Sequence, residues 1–127
     1  MSSEDDDDDT LHEQTARSSD IRHALFGGVG RVAVRDLTGA RDVPPFSAVL
    51  SCVLDAGATV GRHRQTDAHE IVVCLAGHGV FIVDGDAIEA RPGVVAHVRC
   101  GSVLAIENVS SENTLDYLIV KAQPQAS

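Results

Sequence analysis

From residue 30 onward the chain is a succession of short β-type runs cut by glycine-containing turns, and that rhythm restricts the fold more than any other feature. Residues 31–35 (Arg-Val-Ala-Val-Arg) alternate polar and apolar side chains, the period-two pattern of a strand with one buried face. Residues 46–54 form a long β-type run closed by Asp55-Ala56-Gly57. Further runs occupy residues 70–75, 80–83, 87–90, 94–98, 103–107 and 115–122. Between them stand Ala76-Gly77-His78-Gly79, the hairpin signal Asp84-Gly85-Asp86, and Arg91-Pro92-Gly93. A helical period is suggested only as a short turn near residues 19–26. Many short strands with turn punctuation predict an all-β sandwich or barrel.

A chain of 127 residues is one domain. Its net charge of −9 is mostly local. Residues 1–20 carry eight acids, including the run from Asp5 to Asp9, and one base; the other 107 residues carry eleven acids and nine bases. Residues 1–20 therefore read as a disordered acidic tail and residues 21–127 as the barrel domain. The nearly neutral domain has no basic stripe for a phosphate backbone, which argues against nucleic acid as a partner. No apolar run approaches the ~20 residues of a membrane helix, and the N-terminus lacks the basic and apolar regions of a signal peptide. Cys52, Cys74 and Cys100 are odd in number, widely spaced and without a CxxC pair, as expected of reduced thiols in a cytoplasmic protein. Of the three, Cys74 and Cys100 are expected near the pocket. Gly28, Gly30 and Ala33 match a dinucleotide-binding GxGxxA, but a strand pattern follows where that motif needs a helix.

The chemistry is concentrated in residues 57–77, GATVGRHRQTDAHEIVVCLAG. On a strand, His63 and Gln65 project to the same side, and Glu70 at the start of the next strand is able to join them. An imidazole, an amide oxygen and a carboxylate converging on one point suit a transition metal or a polar ligand.

This region resembles the cupin superfamily. The first cupin motif, G-x5-H-x-H-x3or4-E-x6-G, is matched by Gly57, His63, Glu70 and Gly77, with Gln65 at the second histidine. The second, G-x5-P-x-G-x2-H-x3-N, is matched by Gly93, Gly101 and Asn108, with Arg99 at the proline and Leu104 at the histidine. The resemblance implies a jelly-roll barrel with a pocket at one mouth. It also implies metal ligands at the positions of His63, Gln65, Glu70 and Leu104, of which leucine ligates nothing. The implied cofactor is a divalent transition metal, bound weakly.

Alternation adds the remaining pocket positions. Val72 and Cys74 share the face of Glu70, and Ile106 and Asn108 share that of Leu104, which is expected on the wall opposite His63. His97 is a candidate if it faces inward, and His69 if the turn before it is irregular. His78 and Arg99 are expected at solvent-exposed turns. The favoured function is a small-molecule-binding cupin with a weakened or absent metal site. The alternative is a metal-dependent oxygenase, isomerase or lyase using a reduced ligand set, so whether the chain is an enzyme stays open. The apolar strands at residues 46–54 and 115–122 would permit a homodimer, as the family often forms.

Overall fold

The computed structural model describes residues 19–38 and 43–124. Almost all of the tail expected at residues 1–20 lies outside the described residues. Ten strands appear among the described residues: β1 (Asp20–His23), β2 (Arg31–Asp36), β3 (Phe46–Leu54), β4 (Thr59–Arg64), β5 (His69–Ala76), β6 (Gly79–Val83), β7 (Asp86–Ala90), β8 (Val95–Val98), β9 (Val103–Asn108) and β10 (Leu115–Ala122). They form two antiparallel sheets, one ordered β1-β2-β3-β10-β5-β8 and the other β4-β9-β6-β7. The architecture is the expected all-β jelly-roll barrel, built as two facing sheets that hydrogen bonding does not join into one closed ring.

Each inner face follows from alternation. On β5 the buried side chains are Glu70, Val72 and Cys74, while Ile71 and Leu75 are exposed. On β10, Leu115 and Tyr117 point inward, and the Tyr117 ring meets Phe81 of the other sheet edge-on at 6.2 Å. With no tryptophan and few aromatics, aliphatic residues fill most of the space between the sheets, among them Val32, Leu54, Val72, Val98, Leu104 and Ile106. Burying a branched aliphatic side chain contributes roughly 1.5–3 kcal/mol, so this layer carries the fold.

The helical turn expected near residues 19–26 is a strand instead. Residues of β1 pair with β2 from Asp20↔Val34 to His23↔Arg31. All four are exposed, so no apolar periodicity announces them and backbone pairing on the sheet edge defines the strand. A 3-10 turn, Leu25–Gly27, follows.

That turn lies against β4 through two glycines. A Cβ on Gly61 would stand 1.9 Å from the Phe26 carbonyl oxygen, and one on Gly28 would stand 2.2 Å from the Thr59 carbonyl oxygen. Only glycine permits this approach. The Val29 amide donates to Thr59 Oγ1 at 2.9 Å, and the Thr59 amide donates to the Val29 carbonyl at 2.7 Å. Phe26 is held at φ 52°, a left-handed conformation that costs a bulky residue of order 1–3 kcal/mol.

Candidate functional site

A cavity of about 400 Å³ lies between the sheets. Its apolar walls include Val34, Leu50, Val60, Leu104, Ile106 and Ile119. Its polar groups include His63, Gln65, Thr66, Glu70, Tyr117 and Lys121, with Arg22, Arg64 and Asp67 adding charge.

A β-bulge brings His63 to this cavity. On β4, Val60 pairs with Ile106 and His63 with Leu104, so two residues, Gly61 and Arg62, stand opposite Ala105 alone. The extra residue resets the alternation, and His63 lines the same cavity as Val60 while Arg62 is exposed. His63 Nδ1 lies 3.0 Å from the Gly61 carbonyl oxygen. That contact needs the proton on Nδ1 and leaves Nε2 as an acceptor. One face of the imidazole is covered by Phe26, whose ring is stacked on it at 3.9 Å and 12°. Gln65 follows β4 directly and is buried, its backbone bonded on both sides to the turn at Gly101 and Ser102.

Glu70 is the most buried charge in the cavity. Its side chain is 2% exposed, and Oε2 lies 3.4 Å from Lys121 Nζ, whose own side chain is 33% exposed. The pair follows from register: Lys121 on β10 stands directly across from Glu70 on β5, and directly opposed residues share a face. Burial pushes the Glu70 carboxyl above the usual carboxylate range. The nearby Lys121 ammonium and His63 pull the other way without overcoming it, and Asp67 adds to the rise. Neither Glu70 Oε1 nor Gln65 Nε2 has a hydrogen-bond partner among the described residues.

Other expected residues are placed differently. Leu104 lines the cavity, but as the β9 neighbour of His63 and not on the opposite wall. Ile106 lines the cavity too. Val72 and Cys74 share the inward face of Glu70 and are fully buried in the core, away from the cavity lining. Asn108 is buried for a structural purpose. Its Nδ2 donates to the carbonyls of Leu54, Asp55 and Asn113, and its Oδ1 accepts from the Ser110 amide, which ties the end of β3 to the β9–β10 loop.

His97 faces outward, because it pairs with the exposed Ile71 on β5 and its neighbours Ala96 and Val98 occupy the inner face. His69 is likewise exposed, and its Nδ1 accepts the Cys100 amide proton at 2.9 Å. Its place beside Glu70 on a regular strand turns it to the outer face. His78 and Arg99 are exposed as expected. The thiol at the cavity is Cys52, not Cys74 or Cys100. Cys52 is hydrogen-bonded to Tyr117, and burial pushes its pKa up to about 12.

Two contributors were missed in the sequence, and both left a signal there. Lys121 continues the inward series Leu115, Tyr117, Ile119, so a charged residue on that face marked a buried polar partner. Gly61, inside a strand, is the ordinary sign of a bulge or a close backbone approach.

The comparisons with known proteins agree with this architecture. The family model described as "Cupin domain" matches residues 50–121. No curated protein matches the sequence. Among solved structures, a predicted oxalate decarboxylase from Thermotoga maritima is similar, with a TM-score of 0.75 at 23% identity, covering 87% of this chain and 96% of that one. The cupin domain of Schizosaccharomyces pombe Cnp3 has a TM-score of 0.67 at 16% identity, covering 86% of this chain and 72% of that one. The cupin domain of an XRE family transcriptional regulator from Enterobacter cloacae has a TM-score of 0.65 at 21% identity, covering 74% of this chain and 98% of that one. At these identities the likeness is one of fold. With the motif spacing, the two facing sheets and the family model in agreement, the chain belongs to the cupin superfamily.

Proposed function

We propose that this barrel binds a small molecule in its central cavity and does so without a catalytic metal. The observation that carries the reading is the Lys121 ammonium, 3.4 Å from the Glu70 carboxylate. A positive charge already stands where a metal would need the carboxylate to itself. Two unit charges ~4 Å apart repel by about 4 kcal/mol at an effective dielectric of ~20, and a divalent ion would feel about twice that.

The rest of the donor set is also poor. Gln65 offers at best a neutral oxygen, and Leu104 offers nothing. No three His, Cys, Asp or Glu side chains converge among the described residues. These residues do not fit a divalent metal. The cavity does have the ordinary make-up of a small-molecule site, with apolar walls and a few converging polar groups. The fold is no guide to the choice, since the similar structures include a predicted decarboxylase and a regulator's domain.

The competing reading, a metal-dependent oxygenase, isomerase or lyase, rests on His63, Gln65 and Glu70 lining one cavity. Metal analysis of protein purified without chelator or metal affinity resin, with calorimetric titration of zinc, nickel and manganese, separates the two. The expected result is substoichiometric metal and weak binding. Gln65→His with Leu104→His should raise affinity steeply only when both are present, because catalytic zinc sites use at least three protein ligands. Adding Lys121→Met should raise it again. Stoichiometric, tightly held metal in the wild type would refute the proposal.

Two further properties belong to this reading. The outer face of the larger sheet presents Val49, Val53, Ile71, Val73, Leu118 and Val120, all exposed or half-buried, as the surface for a homodimer. The three free cysteines, two of them buried, suit a reducing cytoplasm. No helix among the described residues is long and apolar enough to cross a membrane.

A further inference from the structure

Two buried atoms, on residues that line the cavity, have no hydrogen-bond partner among the described residues, and they are chemically complementary. Gln65 Nε2 is a donor and Glu70 Oε1 is an acceptor. Their residues are 5% and 4% exposed, and both line the cavity. A buried polar atom left unpaired is destabilising, so native structures rarely leave two together without a reason. The aliphatic part of the cavity wall is Leu25, Val34, Leu50, Val60, Leu104, Ile106 and Ile119.

We infer that the cavity recognises a neutral hydroxyl group carried on a compact apolar body, with the hydroxyl held between Gln65 and Glu70. The inference rests on the small-molecule reading above and deepens it by naming the ligand class. A hydroxyl donates one hydrogen bond and accepts others, so it satisfies Glu70 Oε1 with its proton and Gln65 Nε2 with its lone pair.

Hydrogen-bond complementarity, not charge, separates the alternatives, because cations (Arg22, Arg64, Lys121) and anions (Asp67, Glu70) line the same cavity. A carboxylate ligand would accept from Gln65 Nε2 but bring no proton for Glu70 Oε1. An ammonium ligand would donate to Glu70 Oε1 but has no lone pair for Gln65 Nε2. An ether would pair with Gln65 and leave Glu70 unpaired. Lys121 acts here as a positioning residue: by engaging Oε2 it leaves Oε1 as the oxygen free for the ligand. The cavity volume of about 400 Å³ accommodates a ring of six carbons with its substituent.

The test is a matched series on the full-length wild-type protein: cyclohexanol, cyclohexyl methyl ether, cyclohexylamine and cyclohexanecarboxylate. Binding is followed by the shift of the Gln65 side-chain amide resonances in ¹H–¹⁵N spectra. Cyclohexanol should bind about tenfold more tightly than each of the others, the factor expected for one lost hydrogen bond, and should move the Gln65 amide. Gln65→Leu should erase the preference for alcohol over ether. If that variant does not fold, the wild-type series alone decides.

A preference for the carboxylate, equal binding of all four probes, or binding of none overturns the inference. The first two outcomes leave the small-molecule reading standing. Stoichiometric metal in the purified protein instead removes that reading, whatever the probes do.

Discussion

Replacing Gly61 with alanine tests whether the 3-10 turn and its aromatic cover depend on a missing Cβ. The new Cβ would lie 1.9 Å from the Phe26 carbonyl oxygen, 2.7 Å from the Phe26 carbonyl carbon and 2.9 Å from the Gly28 nitrogen. All three contacts are backbone atoms, so no side-chain rotation relieves them. Reaching ordinary van der Waals contact requires the turn to withdraw from β4 by about 1.5 Å.

That movement removes the two hydrogen bonds between Val29 and Thr59, about 1 kcal/mol each, and the stacking of Phe26 on His63, about 0.5–1.5 kcal/mol. Relaxation of the left-handed Phe26 returns part of this. The expected net loss is roughly 2–3 kcal/mol, a fall in Tm of about 8–10 °C for a chain of this size. Urea denaturation followed by far-ultraviolet circular dichroism measures the stability. The His63 ring-proton shifts report the stacking, because they lose the ring current of Phe26. A variant within 0.5 kcal/mol of wild type, with His63 shifts unchanged, would show that β4 yields easily and that the glycine contact does not hold the turn in place.

Two other outcomes follow from burial of titratable groups. Because the folded-state pKa of Glu70 is raised, the folded protein resists ionisation that the unfolded chain accepts, so stability should fall as pH rises past about 4.5 toward the folded value. Glu70→Gln should flatten that slope, gaining on wild type as pH rises in urea denaturation from pH 4 to 8; a difference independent of pH, or one of the opposite sign, would refute the desolvation argument. A thiol reagent at pH 8 should label Cys100 in the native protein and leave Cys74 and Cys52 untouched, since both are buried and the Cys52 pKa is pushed up to about 12. Rapid native-state labelling of Cys52 would mean that the cavity opens far more readily than its packing implies.

The sequence by itself determined the fold class and most of the strands. Alternation and glycine punctuation are local signals, and they located β3 and β10 to the residue. It also determined that His63, Gln65, Glu70, Leu104 and Ile106 belong together, because motif spacing and same-face alternation carry across neighbouring strands. β1 escaped notice because an exposed edge strand has no buried face to pattern.

Only the tertiary structure decided what the site is made of. The bulge at Gly61 and Arg62 determines which side chain of β4 turns inward, and it exists only in the pairing with β9. Lys121 lies 51 residues from Glu70 in the chain and meets it through the register of β10 against β5. Phe26 reaches His63 through a close approach of two backbones at Gly28 and Gly61. His69 and His97 are as capable of ligation as His63 when read as letters, and the direction of their strands' inner faces removes them. Period and spacing are properties of one strand, whereas charge pairing, register and the burial of a carboxylate are properties of two strands together.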